Sequence, residues 1–146
     1  MKKFRFSLEN VLKLKKFSEE ECKMALGLAI SMLNEIENEI KAIARKHHHA
    51  SSELLKDPSQ MMLWNNYKVR LETETERLME EAAKAEIVVE EKRALYMEAF
   101  KELKAMEKMK EKKEKEYYKE MDEKESAEVD EIFAGRQMNM RVSESG

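Results

Sequence analysis

From Cys22 the apolar positions of the chain step alternately by four and by three through Leu26, Ala29, Leu33, Ile36, Ile40 and Ile43 to His47. This is the spacing of a heptad seam, which keeps one stripe of a slightly supercoiled helix apolar. The intervening Glu35, Glu37, Glu39, Lys41 and Arg45 stay in water. Carried back toward the start, the same frame puts Lys15 and Glu19 in the seam, so a register shift near Phe17 is expected. Leu8, Val11, Leu12 and Leu14 then form a separate apolar group.

A second seam follows as Leu71, Thr75, Leu78, Ala82, Ala85, Val89, Lys92, Tyr96, Ala99, Leu103 and Met106. Thr75 and Lys92 interrupt it, while Ala82 and Ala85 leave room for the larger Leu and Ile of a partner helix. Between the seams stands the only proline, in Lys56-Asp57-Pro58-Ser59. Proline disfavours helix at the residue before it and can open the next one, and Asp57 or Ser59 can accept bonds from free backbone N–H groups.

The pattern therefore predicts an all-α fold: a long antiparallel two-helix coiled-coil hairpin with an overhanging C-terminal helix. A single domain over 1–135 would hold a helix from about 7 to 55, a turn at about 56–59 and a helix from about 59 to 134. Residues 136–146 are expected to be a disordered tail. At about 1.5 Å per residue the second helix is about 115 Å long against about 70 Å for the first. With Leu8 facing Lys108, about 27 residues from Lys108 to Ala134 lack an intrachain partner.

Composition supports helices and excludes most else. Of 146 residues 40% are charged, with three Gly and one Pro, too little punctuation for strands and hairpin turns. Aromatics make up 7%, so a thin seam is easier to build than a thick core. The 28 basic and 31 acidic residues nearly cancel at a net charge of −3, unlike a dedicated nucleic-acid binder. No apolar run approaches the roughly 20 residues that cross a bilayer, and Met1 to Glu9 lacks the apolar stretch of a secretory signal. A cytoplasmic protein without membrane insertion is expected, and the single Cys22 agrees with a reducing compartment.

Laid along the chain, the charges separate. Residues 1–16 hold Lys2, Lys3, Arg5, Lys13, Lys15 and Lys16 against Glu9, six minus one, or +5. Residues 117–131 hold Glu120, Asp122, Glu123, Glu125, Glu128, Asp130 and Glu131, seven acids, against Lys119 and Lys124. An antiparallel hairpin brings both to the same end, where they either screen one another or face a partner.

No phosphate-binding loop, dinucleotide fingerprint or Cys/His metal pattern is present, and two helices offer little concavity, so no catalytic residue and no cofactor are expected. His47-His48-His49 cannot jointly grip one ion, because successive helical residues point about 100° apart. One His in the seam and two in solvent is the simpler reading, and Cys22 reads as a small buried hydrophobe. Trp64 and Tyr67 either lock the turn or anchor a partner. Tyr117, Tyr118, Met121, Val129, Ile132 and Phe133, on a helix without cover, point to docking on another protein, pairing with a second copy, or partial disorder.

The opening Phe4-Arg5-Phe6-Ser7-Leu8-Glu9-Asn10-Val11-Leu12-Lys13-Leu14 resembles the start of the flagellar FliJ family, small components of the flagellar type III export apparatus. The Leu26-Gly27 step, Trp64-Asn65-Asn66-Tyr67 and the closing Val129-Asp130-Glu131-Ile132-Phe133-Ala134-Gly135-Arg136 agree in order and spacing over nearly the whole chain. The resemblance implies a non-catalytic, central-stalk-like coiled coil that binds the hexameric export ATPase. It further implies contact with the membrane export gate protein and with export chaperones, at the cytoplasmic face of the inner membrane at the flagellar base.

Mapped onto this sequence, the ATPase-binding end comprises Phe4, Phe6, Leu8, Val11, Asp130, Glu131 and Arg136. Trp64, Asn66 and Tyr67 lie near the gate-contacting tip, where Lys46 and Ala50 replace aromatic residues of enterobacterial members. A generic coiled-coil adaptor or secretion chaperone, the stalk protein of a virulence type III secretion system, and a homodimeric scaffold with paired overhangs are the alternatives.

Overall fold

A computed structural model describes residues 2–145, with side chains described as far as Val142. Helix α1 spans Glu9–Lys56, a short 3-10 turn spans Pro58–Gln60, and helix α2 spans Met61–Ser145. The all-α expectation holds: two long helices, and no strand among the described residues. Contacts gather into two compact units, one of Met1–Lys16 with Glu102–Gly146 and the other of Phe17–Lys101.

The reversal is built as its four residues predict. Asp57 caps the turn, its Oδ1 accepting from the Ser59 backbone N–H at 3.2 Å and from the Ser59 hydroxyl at 2.6 Å. Pro58 opens the 3-10 turn, where its missing N–H costs no bond. The two Ser59 bonds, the hydroxyl's first, hold the Asp57 carboxyl below its ordinary value of 3.8.

In the unit of Phe17–Lys101 the two helices pack antiparallel. Ile43, Leu71 and Leu78 form the buried centre, with Ile36, Ile40 and Tyr67 against them. Ala29, Val89 and Ala99 are also buried, all on the predicted seams. Thr75 lies half-buried and satisfies its hydroxyl by donating to the Leu71 carbonyl at 2.8 Å, so it interrupts the seam without an orphaned group. Lys92 is likewise only half-covered, which its apolar stem permits.

The expected register shift near Phe17 does not occur. Glu19, Lys15 and Leu12 continue the frame of Cys22 and are all covered, Leu12 to 1% exposure. In the unit holding the chain ends, Lys15 lays its stem along the seam and places its ammonium 2.8 Å from Glu102. A lysine at a seam edge thus needs no break, because stem and charge can be accommodated separately.

Antiparallel pairing in that unit also reaches further than expected. Lys110 lies 3.0 Å from Glu9, and Tyr117 donates its hydroxyl to the Lys2 carbonyl at 2.5 Å. The Phe4 ring sits 5.6 Å from that of Tyr117. Residues 2–6 are not helical, yet Phe4 and Phe6 are half-covered, Phe4 against Tyr117 of α2. Cover therefore ends near Met121 rather than at Lys108. From Asp122 to Val142 every described side chain is exposed.

α2 does not stop at Ala134 but continues through Gly135 to Ser145, the part of the presumed disordered tail that is described; Gly146 and Met1 lie outside the described residues. A single Gly costs a helix only about 1 kcal/mol, and the Arg, Gln and Met residues after it are good helix formers with no Pro among them.

Leu12→Ala and Leu78→Ala remove the two most completely buried side chains. Each should lower unfolding free energy by about 2–5 kcal/mol, against about 0.5 or less for exposed Leu55→Ala, measured by urea unfolding. Because the Asp57 carboxyl is depressed in the folded state, its contribution is complete above 3.8 and is lost as pH falls through the lower folded value. Asp57→Ala should thus lower Tm at neutral pH, and the difference from the parent protein should close below 3.8.

Candidate functional site

The residues expected at the ATPase-binding end all belong to the unit that holds both chain ends. They do not form one cluster. Phe4 and Phe6 are half-covered, and Leu8, in the turn before α1, and Val11, on its first turn, lie exposed at the edge of the seam. Asp130, Glu131 and Arg136 are exposed on the overhang, and Asp130 stands about 20 Å along α2 from Tyr117, the residue on which Phe4 rests.

Tyr117, expected on the uncovered helix, is instead half-covered beneath the arm. It touches Phe4, takes the Lys2 carbonyl as acceptor and stands 5.4 Å from the Tyr118 ring. The signal for it was the pair of aromatics at Tyr117-Tyr118 matched by Phe4 and Phe6 at the chain start. The arm's non-helical path hides that match from any helical period.

The charge polarity is realised unequally. Lys2 to Lys16 run alongside the segment from Glu102 to Tyr117, where Lys15 meets Glu102 and Glu9 meets Lys110. The acids from Glu120 to Glu131 lie mostly beyond that stretch and have no ion pair with the basic start among the described residues. The overhang thus combines exposed acids with exposed Val129, Ile132 and Phe133, at 62%, 61% and 63% of their full surface. Val129, Ile132 and Phe133 together leave an exposed apolar patch on this stretch of helix.

In the unit of Phe17–Lys101, Trp64 is half-buried with its ring edge-on to His47 at 5.1 Å. Tyr67 packs on the Ile43 cluster and carries Arg70 over its ring at 5.7 Å. Both aromatics pack within this unit, and of the three expected tip residues only Asn66 is exposed. They also border an open groove of about 440 Å³ with Ala50, Leu54, Asp57 and Leu63. A second groove, about 490 Å³, runs along Ile40, Ile43, His47, Leu71, Thr75 and Met79.

His47 lies half-covered in the seam, while His48 and His49 face solvent, and Cys22 is half-covered. No group of His, Cys, Asp and Glu among the described residues is arranged to hold a metal ion. On the outer face of α2, Arg77 binds both Glu74 and Glu81. The hydrogen bond from Arg77 holds the Glu74 carboxyl below its usual range. Such exposed pairs contribute little to stability. No described helix is long and apolar enough to cross a membrane.

A family model described as "Flagellar FliJ protein" matches residues 4–143 of the chain. Searches of curated proteins and of solved structures return no significant match. The match takes in the aromatic arm, the turn, both seams and most of the overhang, and the chain belongs to the FliJ family, non-catalytic components of the flagellar protein export apparatus.

Proposed function

We propose that this chain is the central-stalk-like element of the flagellar export machinery, which binds the export ATPase hexamer, promotes ring assembly and couples the ring to the export gate. The carrying observation is the overhang of α2. From Asp122 to Val142 it is helical, exposed and studded with apolar and acidic side chains. A helix of this kind suits insertion into a ring whose inner surface supplies the missing cover and the opposite charge.

Phe4, Phe6, Leu8 and Val11 flank the base of the overhang, and Asp130, Glu131 and Arg136 supply its polar contacts. The region around Trp64, Asn66 and Tyr67 faces the membrane gate protein, with the aromatics holding the turn and Asn66 free to contact it. The chain works at the cytoplasmic face of the inner membrane, peripherally and without insertion, and escorts export chaperones between rounds of export.

Mixing the chain with purified export ATPase should increase both oligomerisation and ATP hydrolysis; no binding and no change in either overturns the reading. Replacing Asp130, Glu131 and Arg136 together by Ala should weaken that binding by about tenfold or more. Undiminished binding by this triple variant would place the contact elsewhere on the chain.

A further inference from the structure

On the overhang, Glu125, Val129, Ile132 and Arg136 follow one another at steps of four, three and four, and so share one helix face. That face is turned by roughly 60° about the helix axis from the covered one beneath it. Glu114, Tyr117 and Met121, half-covered, lead into Glu125 at steps of three, four and four. The apolar stripe of α2 thus drifts onto an adjoining face, because the steps from Tyr117 through Met121 and Glu125 to Val129 are all of four residues.

The order along this face, acid, apolar, apolar, base, is its own complement when reversed. If a second overhang is laid antiparallel with Asp130 opposite Glu131, each Glu125 meets Arg136 of the other copy and each Val129 meets Ile132. Phe133 borders these layers and can close over them. A parallel arrangement would instead set Glu125 against Glu125 and Arg136 against Arg136. Charge therefore selects one orientation and one register, as polar positions do in coiled coils.

We propose that a second copy of this chain covers this face, through a two-fold antiparallel pairing of overhangs from Asp122 onward. Such an interface is isologous, with the same four residues used twice. It is also small. About 30 Å of single helix on each side buries less than the roughly 1,200 Å² of a stable complex, and the acids on the outer faces repel. The pair is accordingly weak, with a dissociation constant on the order of tens of micromolar. It uses the surface offered to the ATPase ring, so the two associations compete, but the pairing does not depend on that reading and is measured with the chain alone.

Sedimentation equilibrium of the full chain over about 5 to 500 µM should show a concentration-dependent dimer. Arg136→Glu and Glu125→Arg should each weaken self-association by about tenfold or more, since each sets like charges opposite one another twice. An equimolar mixture of the two variants should restore the dimer, because both contacts then join opposite charges. Both sites are exposed, and equal far-UV circular dichroism should confirm that the helices are kept. A parent chain that stays monomeric across this range overturns the proposal, as do variants that dimerise as well as the parent or a mixture that does not recover. If the parent stays monomeric while ATPase binding falls in both variants, the face belongs to the ATPase.

Discussion

Two helices poor in large side chains can hold together only along a seam, and the alternation of four and three in the apolar positions is the constraint from which the rest follows. It leaves each helix one covered stripe and surrounds it with charge. Among the described residues every buried one is aliphatic, and none is polar. Cohesion is spread over many small contacts, with Leu12 and Leu78 as the two points where a side chain is wholly enclosed. A structure held this way has no interior in which to desolvate and converge catalytic groups. What it can offer is surface, in the form of grooves beside the seam and helix that outlasts its partner.

The unit carrying both chain ends shows how the seam is terminated. α1 begins only at Glu9, and the arm before it drapes Phe4 onto Tyr117 with the Lys2 carbonyl fastened to the tyrosine hydroxyl. Beyond that clasp α2 carries Val129, Ile132 and Phe133 without cover. The near-neutral net charge conceals this arrangement, since the basic start is laid along α2 while the acids of the overhang stand in solvent.

Much of this was legible in the residues. The seams from Cys22 to His47 and from Leu71 to Met106, the reversal at Pro58 and the poverty of turn residues all express local periodicity or local backbone chemistry, and each survives in three dimensions. The flagellar family was legible too, because its opening and closing motifs keep their order over the chain. Of the candidate contact residues, exposure of Asp130, Glu131 and Arg136 followed from their helix, whereas the half-buried state of Trp64 and Tyr67 did not. Their packing on His47 and the Ile43 cluster joins positions from two helices, which no single window contains.

The sequence by itself determined that the chain forms two long helices, where it turns and which stripe of each helix is apolar, because these depend on residues within a few positions of one another. Only the tertiary structure decided that Lys15 could stay in the seam, that the arm reaches Tyr117 and that cover ends near Met121. Those outcomes depend on the offset between segments about a hundred residues apart in sequence. A repeating seam tolerates several such offsets, and the choice among them falls to particular contacts, here Lys15 with Glu102, Glu9 with Lys110 and Phe4 with Tyr117.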